Sequence, residues 1–124
     1  MGSRRPTAPV LVIEDNADTR SVLRTFLELN DYVVEQARNG VEALDYLQSG
    51  EGACLIILDL RMPVMDGWTF LSTLHANSAW TDIPVIAFSA VLEGDVAGTV
   101  ASIRKAAVNP DVLLALIERA AIPS

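Results

Sequence analysis

The chain has 124 residues, of which 51% are hydrophobic and 20% are charged, and its net charge at pH 7 is −7. This length and composition are typical of a single globular domain with a hydrophobic core, and they exclude a disordered chain. The acidic balance argues against nucleic acid as a direct partner, because phosphate contacts need clustered lysine and arginine. The apolar runs are too short to span a bilayer, so no membrane insertion is expected.

The domain is expected to cover residues 9–122, after a disordered N-terminal extension of residues 1–8. The single cysteine, Cys54, lies inside an apolar run, so it is interpreted as a small core residue. A disulfide within the chain is impossible with one cysteine, and a cytoplasmic location is therefore expected.

Short apolar runs alternate with amphipathic stretches, which predicts a parallel sheet covered by helices on both faces. The predicted strands are Val10 to Glu14, Tyr32 to Glu35, Cys54 to Leu58 and Ile83 to Phe88. The first predicted helix runs from Ala17 to Leu29, and the second runs from its N-cap Asn39 to near Gly50. The third begins near Asp66. The last begins at Asn109-Pro110-Asp111, where an N-cap residue is followed by proline at the first helical position. The second strand is the least apolar and is expected at an edge of the sheet.

Apolar residues at helical spacing predict the faces that the helices bury. The expected buried residues are Val22, Leu23, Phe26 and Leu27, then Val41, Leu44 and Leu47, then Trp68, Phe70, Leu71 and Leu74, and finally Leu113, Leu116, Ile117 and Ala120.

The segment from Ala90 to Val108 is short for a helix, a strand and two connections. The preferred interpretation is a helix from Leu92 to Ala97, Gly98 as its C-terminal cap, and a strand from Thr99 to Ile103. The alternative is one continuous helix to about Ala106, with the fifth strand lost or reduced to residues 106–108.

Polar residues stand at the ends of the predicted strands. Glu14-Asp15 end the first strand, Asp59 follows the third and Ser89 the fourth, and Lys105 lies two residues beyond the predicted fifth. In a parallel sheet these ends share one edge, where open α/β proteins bind their ligands.

This constellation suits a hard divalent cation together with phosphate. Carboxylates at the rim of an open cleft match the oxygen coordination of Mg²⁺. The Asp59 carboxylate can attack a phosphoryl group in line, while the metal offsets the charge repulsion between the two. Lys105 would place a positive charge on the phosphate, and the Ser89 hydroxyl would donate a hydrogen bond to it.

From about Val10 to Ala121 the sequence resembles the receiver domains of two-component response regulators. The family pattern has an acidic pair after strand one, matched by Glu14-Asp15, and a phosphoacceptor in the string Asp-x-x-Met-Pro-x-Met-Asp-Gly, matched by residues 59–67. It also has a hydroxyl residue after strand four, matched by Ser89, and a lysine after strand five, matched by Lys105.

The resemblance implies a flavodoxin-like, doubly wound sheet of five parallel strands in the order 2-1-3-4-5, here with a shortened region around the fourth helix and fifth strand. It implies Mg²⁺ bound by Glu14, Asp15, Asp59 and the backbone carbonyl of Arg61. It further implies a signalling module that is not an enzyme and that takes its phosphoryl group from a sensor histidine kinase or a histidine phosphotransfer protein. Phosphorylation of Asp59 would then switch the binding of a downstream target protein.

Two departures from the family pattern stand out. The lysine is normally followed by proline across a cis bond, but here the pair is Lys105-Ala106, and a cis bond before alanine costs about 3 kcal/mol. A trans bond is therefore expected before Ala106, and the Lys105 side chain is expected to point in a different direction from the family's lysine. The predicted fifth strand also lacks the family's aromatic residue, so the usual output face is in question.

Two other functions are kept as alternatives. The first is a degenerate, phosphorylation-independent interaction module, which is favoured by the departure from the family's Lys-Pro pair at Lys105-Ala106. The second is a small phosphohydrolase with an aspartyl nucleophile, a chemistry that commonly places a second aspartate two residues after the nucleophile as general acid, where Arg61 stands here.

Overall fold

The computed structural model of the protein describes residues 8–90 and 96–122. Its strands are β1 (Val10–Ile13), β2 (Val34–Ala37), β3 (Leu55–Leu58), β4 (Val85–Ser89) and β5 (Ala101–Arg104). Its helices are α1 (Ala17–Leu29), α2 (Gly40–Gln48), α3 (Gly67–His75) and α4 (Pro110–Ala121), with a short 3-10 helix at Lys105–Ala107. The predicted N-terminal extension, apart from Ala8, lies outside the described residues.

All neighbouring strands are parallel, and the five-stranded sheet has the order β2-β1-β3-β4-β5. This confirms the predicted flavodoxin-like architecture, with the polar strand β2 at one edge. Ile13 lies opposite Leu58 in the central pair β1 and β3. The next residues, Glu14 and Asp59, therefore leave the sheet side by side.

The central strands are buried on both faces, which explains why their sequences are continuously apolar. Alternate side chains point to opposite faces. Leu11 and Ile13 pack into the cluster beneath α2 and α3, whereas Val10 and Val12 pack into the cluster beneath α1 and α4. Burial of each such side chain contributes about 1.5–3 kcal/mol.

The helix boundaries follow their capping signals. Asn16, Asn39 and Asp66 each accept a hydrogen bond from a backbone N–H in the first turn of α1, α2 and α3. Asn109 does the same for α4, which has Pro110 at its first position. Such caps satisfy N–H groups that have no partner within the helix.

Three residues predicted to be buried are exposed instead. The exposed fractions are 68% for Val22, 41% for Val41 and 48% for Trp68. Each helix buries a narrower stripe than the apolar pattern predicted, such as Leu23 and Leu27 in α1. A surface helix needs only one stripe against the sheet, so its apolar flanks stay in solvent.

The strand prediction was displaced by two residues at β2. Tyr32 is buried, and its N–H donates to the Leu27 carbonyl, so it still belongs to the turn that ends α1. Asp31 makes this turn in the left-handed region, with φ of 69°. Pairing with β1 therefore begins only at Val34, opposite Val10.

The region before Lys105 was predicted only in part. A fifth strand exists, so the alternative of one continuous helix is wrong, but it spans Ala101–Arg104 instead of starting at Thr99. A turn closed by a hydrogen bond from Thr99 N to the Val96 carbonyl, with Gly98 at φ of 87°, delays its start. Most of the helix predicted from Leu92 to Ala97 lies outside the described residues, and Val96 and Ala97 themselves are not helical.

Across residues 8–90 and 96–122, none of the helices has the length and apolar character needed to cross a membrane.

Candidate functional site

Three carboxylates meet at the carboxyl edge of the sheet. Glu14 and Asp15 follow β1 and Asp59 follows β3, and one oxygen from each lies within 4.8 Å of the others. Glu14 is 1% exposed and Asp59 is 5% exposed, whereas Asp15 faces solvent. The structure thus combines two desolvated carboxylates with one open to the solvent.

The turn from β1 into α1 holds Glu14 in place. Its Oε2 accepts a hydrogen bond of 3.1 Å from the Asn16 N–H. Arg20, one turn into α1, donates from Nη1 to the Glu14 carbonyl oxygen at 2.7 Å. Sequence reasoning missed Arg20. The only indication in the sequence is that Arg20, with a long cationic side chain, comes a few residues after the acidic pair Glu14-Asp15.

Asp59 is engaged on both carboxylate oxygens. Its Oδ1 accepts a hydrogen bond from the Arg61 N–H at 3.2 Å and a long one from the Ser89 hydroxyl at 3.4 Å. Its Oδ2 lies 3.4 Å from the Lys105 ammonium. Ser89 is fully buried as the last residue of β4, the strand next to β3. Asp59 therefore sits between a hydroxyl and an ammonium group.

Lys105 reaches the site from the start of the 3-10 helix that directly follows β5. Its Nζ lies 2.6 Å from Glu14 Oε1 and 5.9 Å from the centroid of the Phe88 ring. Residues 8–90 and 96–122 contain no cis peptide bond, so the Lys105-Ala106 bond is trans as expected. The trans bond still allows the ammonium to contact both buried carboxylates.

Burial and charge act in opposite directions on this ion pair. Burial raises the pKa of Glu14 to about 7, although Lys105 and the Asn16 N–H both lower it. Burial also lowers the pKa of Lys105, but its hydrogen bond to Glu14 and the charge of Asp59 together raise that pKa above its usual value. The lysine is therefore protonated at neutral pH, and the pocket contains a fixed positive charge.

The segment between Asp59 and α3 is a tight loop closed by backbone hydrogen bonds. The Gly67 N–H donates to the Leu60 carbonyl at 2.8 Å, and the Met65 N–H donates to the Pro63 carbonyl at 2.8 Å. Val64, with φ of 73°, lies in the left-handed region, which is unusual for a β-branched residue. The loop thus carries local strain beside Asp59.

Gly67 is required where α3 approaches the loop. A Cβ at Gly67 would lie 2.6 Å from Leu60 Cα and 2.8 Å from the Asp59 carbonyl oxygen. We expect Gly67→Ala to lower the free energy of unfolding by about 1–3 kcal/mol, because the backbone itself must shift. Gly40→Ala is the matched control, since its Cβ would meet the flexible Met65 side chain instead. Urea denaturation measures both, and an equal loss would contradict the proposed backbone clash.

The structure thus defines an α/β protein with an acidic pocket and one inserted lysine at the carboxyl edge of a parallel sheet. The chain belongs to the response regulator receiver domain family, whose family model matches residues 10–110. Receiver domains are signalling modules of two-component systems that bind Mg²⁺ in an acidic pocket and partner with histidine kinases and downstream targets.

Curated relatives are longer than this chain. The sequence is 37% identical over 82 residues to the response regulator Rre1 of Synechocystis, covering 65% of this chain and 35% of Rre1. It is 34% identical over 79 residues to the sensor histidine kinase CheAY of Helicobacter pylori, covering 63% of this chain and 10% of CheAY.

Among solved structures, the chain is similar to the chemotaxis protein CheY4 of Vibrio cholerae. The TM-score is 0.82 at 28% sequence identity, and the match covers 93% of this chain and 99% of CheY4. The likeness therefore extends over the whole receiver fold.

Proposed function

We propose that this chain is a receiver that accepts a phosphoryl group on Asp59 in a magnesium-dependent reaction. The observation that carries the proposal is the position of the Asp59 carboxylate, which is buried and lies between the Ser89 hydroxyl and the Lys105 ammonium. Phosphoryl acceptance is also typical of the family.

Glu14, Asp15 and Asp59 would hold the metal, with the Arg61 backbone carbonyl as a fourth ligand. The donor set supports this, because three carboxylates with oxygens within 4.8 Å of one another match a hard divalent cation. When bound, Mg²⁺ would supply positive charge that offsets the repulsion between a carboxylate and a phosphoryl group.

In the proposed transfer, one Asp59 carboxylate oxygen attacks the phosphorus in line. A phosphorus–oxygen bond forms and the phosphorus–nitrogen bond to the donor histidine breaks, so the imidazole nitrogen leaves with the electron pair of that bond and takes a proton from water. The Lys105 ammonium would neutralise charge on the transferred group. The Ser89 hydroxyl would turn from Asp59 Oδ1 to a phosphoryl oxygen and draw the end of β4 with it.

The donor would be a sensor histidine kinase or a histidine phosphotransfer protein in the cytoplasm, and the output would be altered binding of a downstream target protein. The alternative of a degenerate module depended on the region around Lys105, where the family's proline is missing. The contact of Lys105 with Glu14 and Asp59 favours a functional site over a degenerate one.

Uptake from a small-molecule phosphodonor tests the proposal. We expect the wild-type protein to gain one phosphoryl group with millimolar Mg²⁺ and none with a chelator, as measured by intact mass. The product should be labile to hydroxylamine, as an acyl phosphate is. No uptake with Mg²⁺ would support the degenerate module, and rapid turnover of a phosphate ester would support the phosphohydrolase.

A further inference from the structure

Arg20 makes a different kind of contact from Arg24, the next arginine along α1. Arg24 pairs with the carboxylate of Glu28. Arg20 instead donates from Nη1 to two backbone carbonyl oxygens, that of Glu14 at 2.7 Å and, in a longer contact, that of Asp15 at 3.5 Å. The Arg20 guanidinium therefore holds the backbone of two consecutive acidic residues.

The backbone of Arg20 is itself fixed relative to this turn. Its N–H donates to the Asn16 carbonyl oxygen at 2.9 Å, in the first turn of α1. The Asn16 side chain caps the same helix by accepting a hydrogen bond of 2.9 Å from the Thr19 N–H. Arg20 thus connects the turn after β1 to a capped helix through both its backbone and its side chain.

The guanidinium of Arg20 also lies close to α2. The hydrogen bond from Arg38 lowers the pKa of Glu42, and the positive charge of Arg20 adds to this lowering. Glu42 is in the first turn of α2. Arg20 is therefore placed between the turn that carries the acidic pair and the start of the neighbouring helix.

The two acidic side chains depend on this turn to different degrees. Glu14 is buried, and its carboxylate is also held by Lys105 and the Asn16 N–H. Asp15 is exposed, so packing does little to orient it, although one of its oxygens lies within 4.8 Å of those of Glu14 and Asp59. A carbonyl oxygen held in place fixes the plane of its peptide group, and with it the backbone from which the next side chain projects.

We propose that Arg20 is a positioning residue that aims the Asp15 carboxylate at the metal site through the backbone of the turn. The inference rests on the metal site of the proposed function. It predicts an effect opposite in sign to that of charge alone. The positive charge of Arg20 repels a divalent cation, so losing only the charge would tighten Mg²⁺ binding, whereas losing the positioning contact weakens it.

Calorimetric titration with Mg²⁺ distinguishes these two effects. We expect Arg20→Gln to bind Mg²⁺ about tenfold more weakly than the wild type, because groups that orient metal ligands commonly contribute this much. Arg20→Lys should recover part of the loss, since an ammonium can donate to a carbonyl oxygen. Arg24→Gln is the matched control, which removes the same charge from the same helix and should leave the Kd unchanged.

Phosphoryl uptake provides a second readout. In Arg20→Gln the Mg²⁺ concentration that gives half the limiting rate should rise with the Kd. It should rise by a larger factor than the limiting rate falls, because the acceptor Asp59 is held by β3 and by Ser89.

A third readout needs no metal. The Asn16 N–H, which donates to Glu14 Oε2, should exchange with solvent faster in Arg20→Gln than in the wild type, and at the wild-type rate in Arg24→Gln. Thermal unfolding without Mg²⁺ establishes that each variant is folded. If Arg20→Gln does not fold, Arg20→Lys carries the test, with an expected Kd weaker than that of the wild type.

The failures of the two proposals are distinguishable. Mg²⁺ binding by Arg20→Gln that equals or exceeds that of the wild type, an equal loss in Arg24→Gln, or no recovery in Arg20→Lys would overturn the positioning role alone. Absence of Mg²⁺ binding by the wild type would overturn the metal site of the proposed function, and the positioning role with it.

Discussion

Replacing Asp15 with Asn is expected to lower Mg²⁺ affinity by about tenfold or more, because it removes one of three negative charges around a divalent cation. Asp15 is the exposed carboxylate of the three, whereas Glu14 and Asp59 are buried and already engaged by Lys105. Asp15 therefore offers the most accessible oxygen to an incoming cation. Magnesium-dependent phosphoryl uptake should fall with the affinity.

Asp45→Asn is the matched control for this change. Asp45 is also an exposed aspartate, but it lies on α2, outside the group of carboxylates at the end of β1 and β3. Calorimetric titration of both variants should separate a loss of metal ligation from a change in net charge. A Kd for Asp15→Asn equal to that of the wild type would rule out Asp15 as a ligand.

Much of the fold could be predicted because local signals agree with the global arrangement. The caps Asn39, Asp66 and Asn109 mark their helices, and α1 spans the predicted residues Ala17–Leu29. The continuously apolar β1 and β3 identify the centre of the sheet, and the polar β2 identifies its edge. The carboxyl ends of neighbouring strands then bring residues that are distant in sequence to one place.

The remaining features depend on tertiary contacts that leave no local pattern. The start of β2 was misplaced because Tyr32 is apolar and buried yet belongs to a turn. The direction in which the Lys105 side chain points could not be predicted, because it depends on the end of β5 at Arg104 and on the 3-10 helix that follows. The hydrogen bond from Arg20 to the Glu14 carbonyl oxygen likewise depends on the orientation of α1 relative to the end of β1.

Replacing Asp59 with Asn is expected to abolish phosphoryl uptake, because an amide oxygen is a much weaker nucleophile than a carboxylate. The change is nearly isosteric, so contacts such as the hydrogen bond from the Arg61 N–H to Oδ1 can persist. The loss should therefore reflect the missing nucleophile and one missing metal ligand, and the fold should remain intact.

Asp66→Asn is the control closest in sequence. Asp66 is exposed and caps α3 by accepting a 2.8 Å hydrogen bond from the Thr69 N–H, which holds the pKa of its carboxyl below the usual value. Asparagine is also a good cap, so this variant should stay folded and should still be phosphorylated.

The central claim is that Asp59 is the phosphoryl acceptor, and intact-mass measurement after incubation with a small-molecule phosphodonor and Mg²⁺ tests it most directly. We expect one hydroxylamine-labile phosphoryl group on the wild type and on Asp66→Asn, and none on Asp59→Asn. A phosphoryl group gained by Asp59→Asn to the same extent as the wild type would contradict the claim.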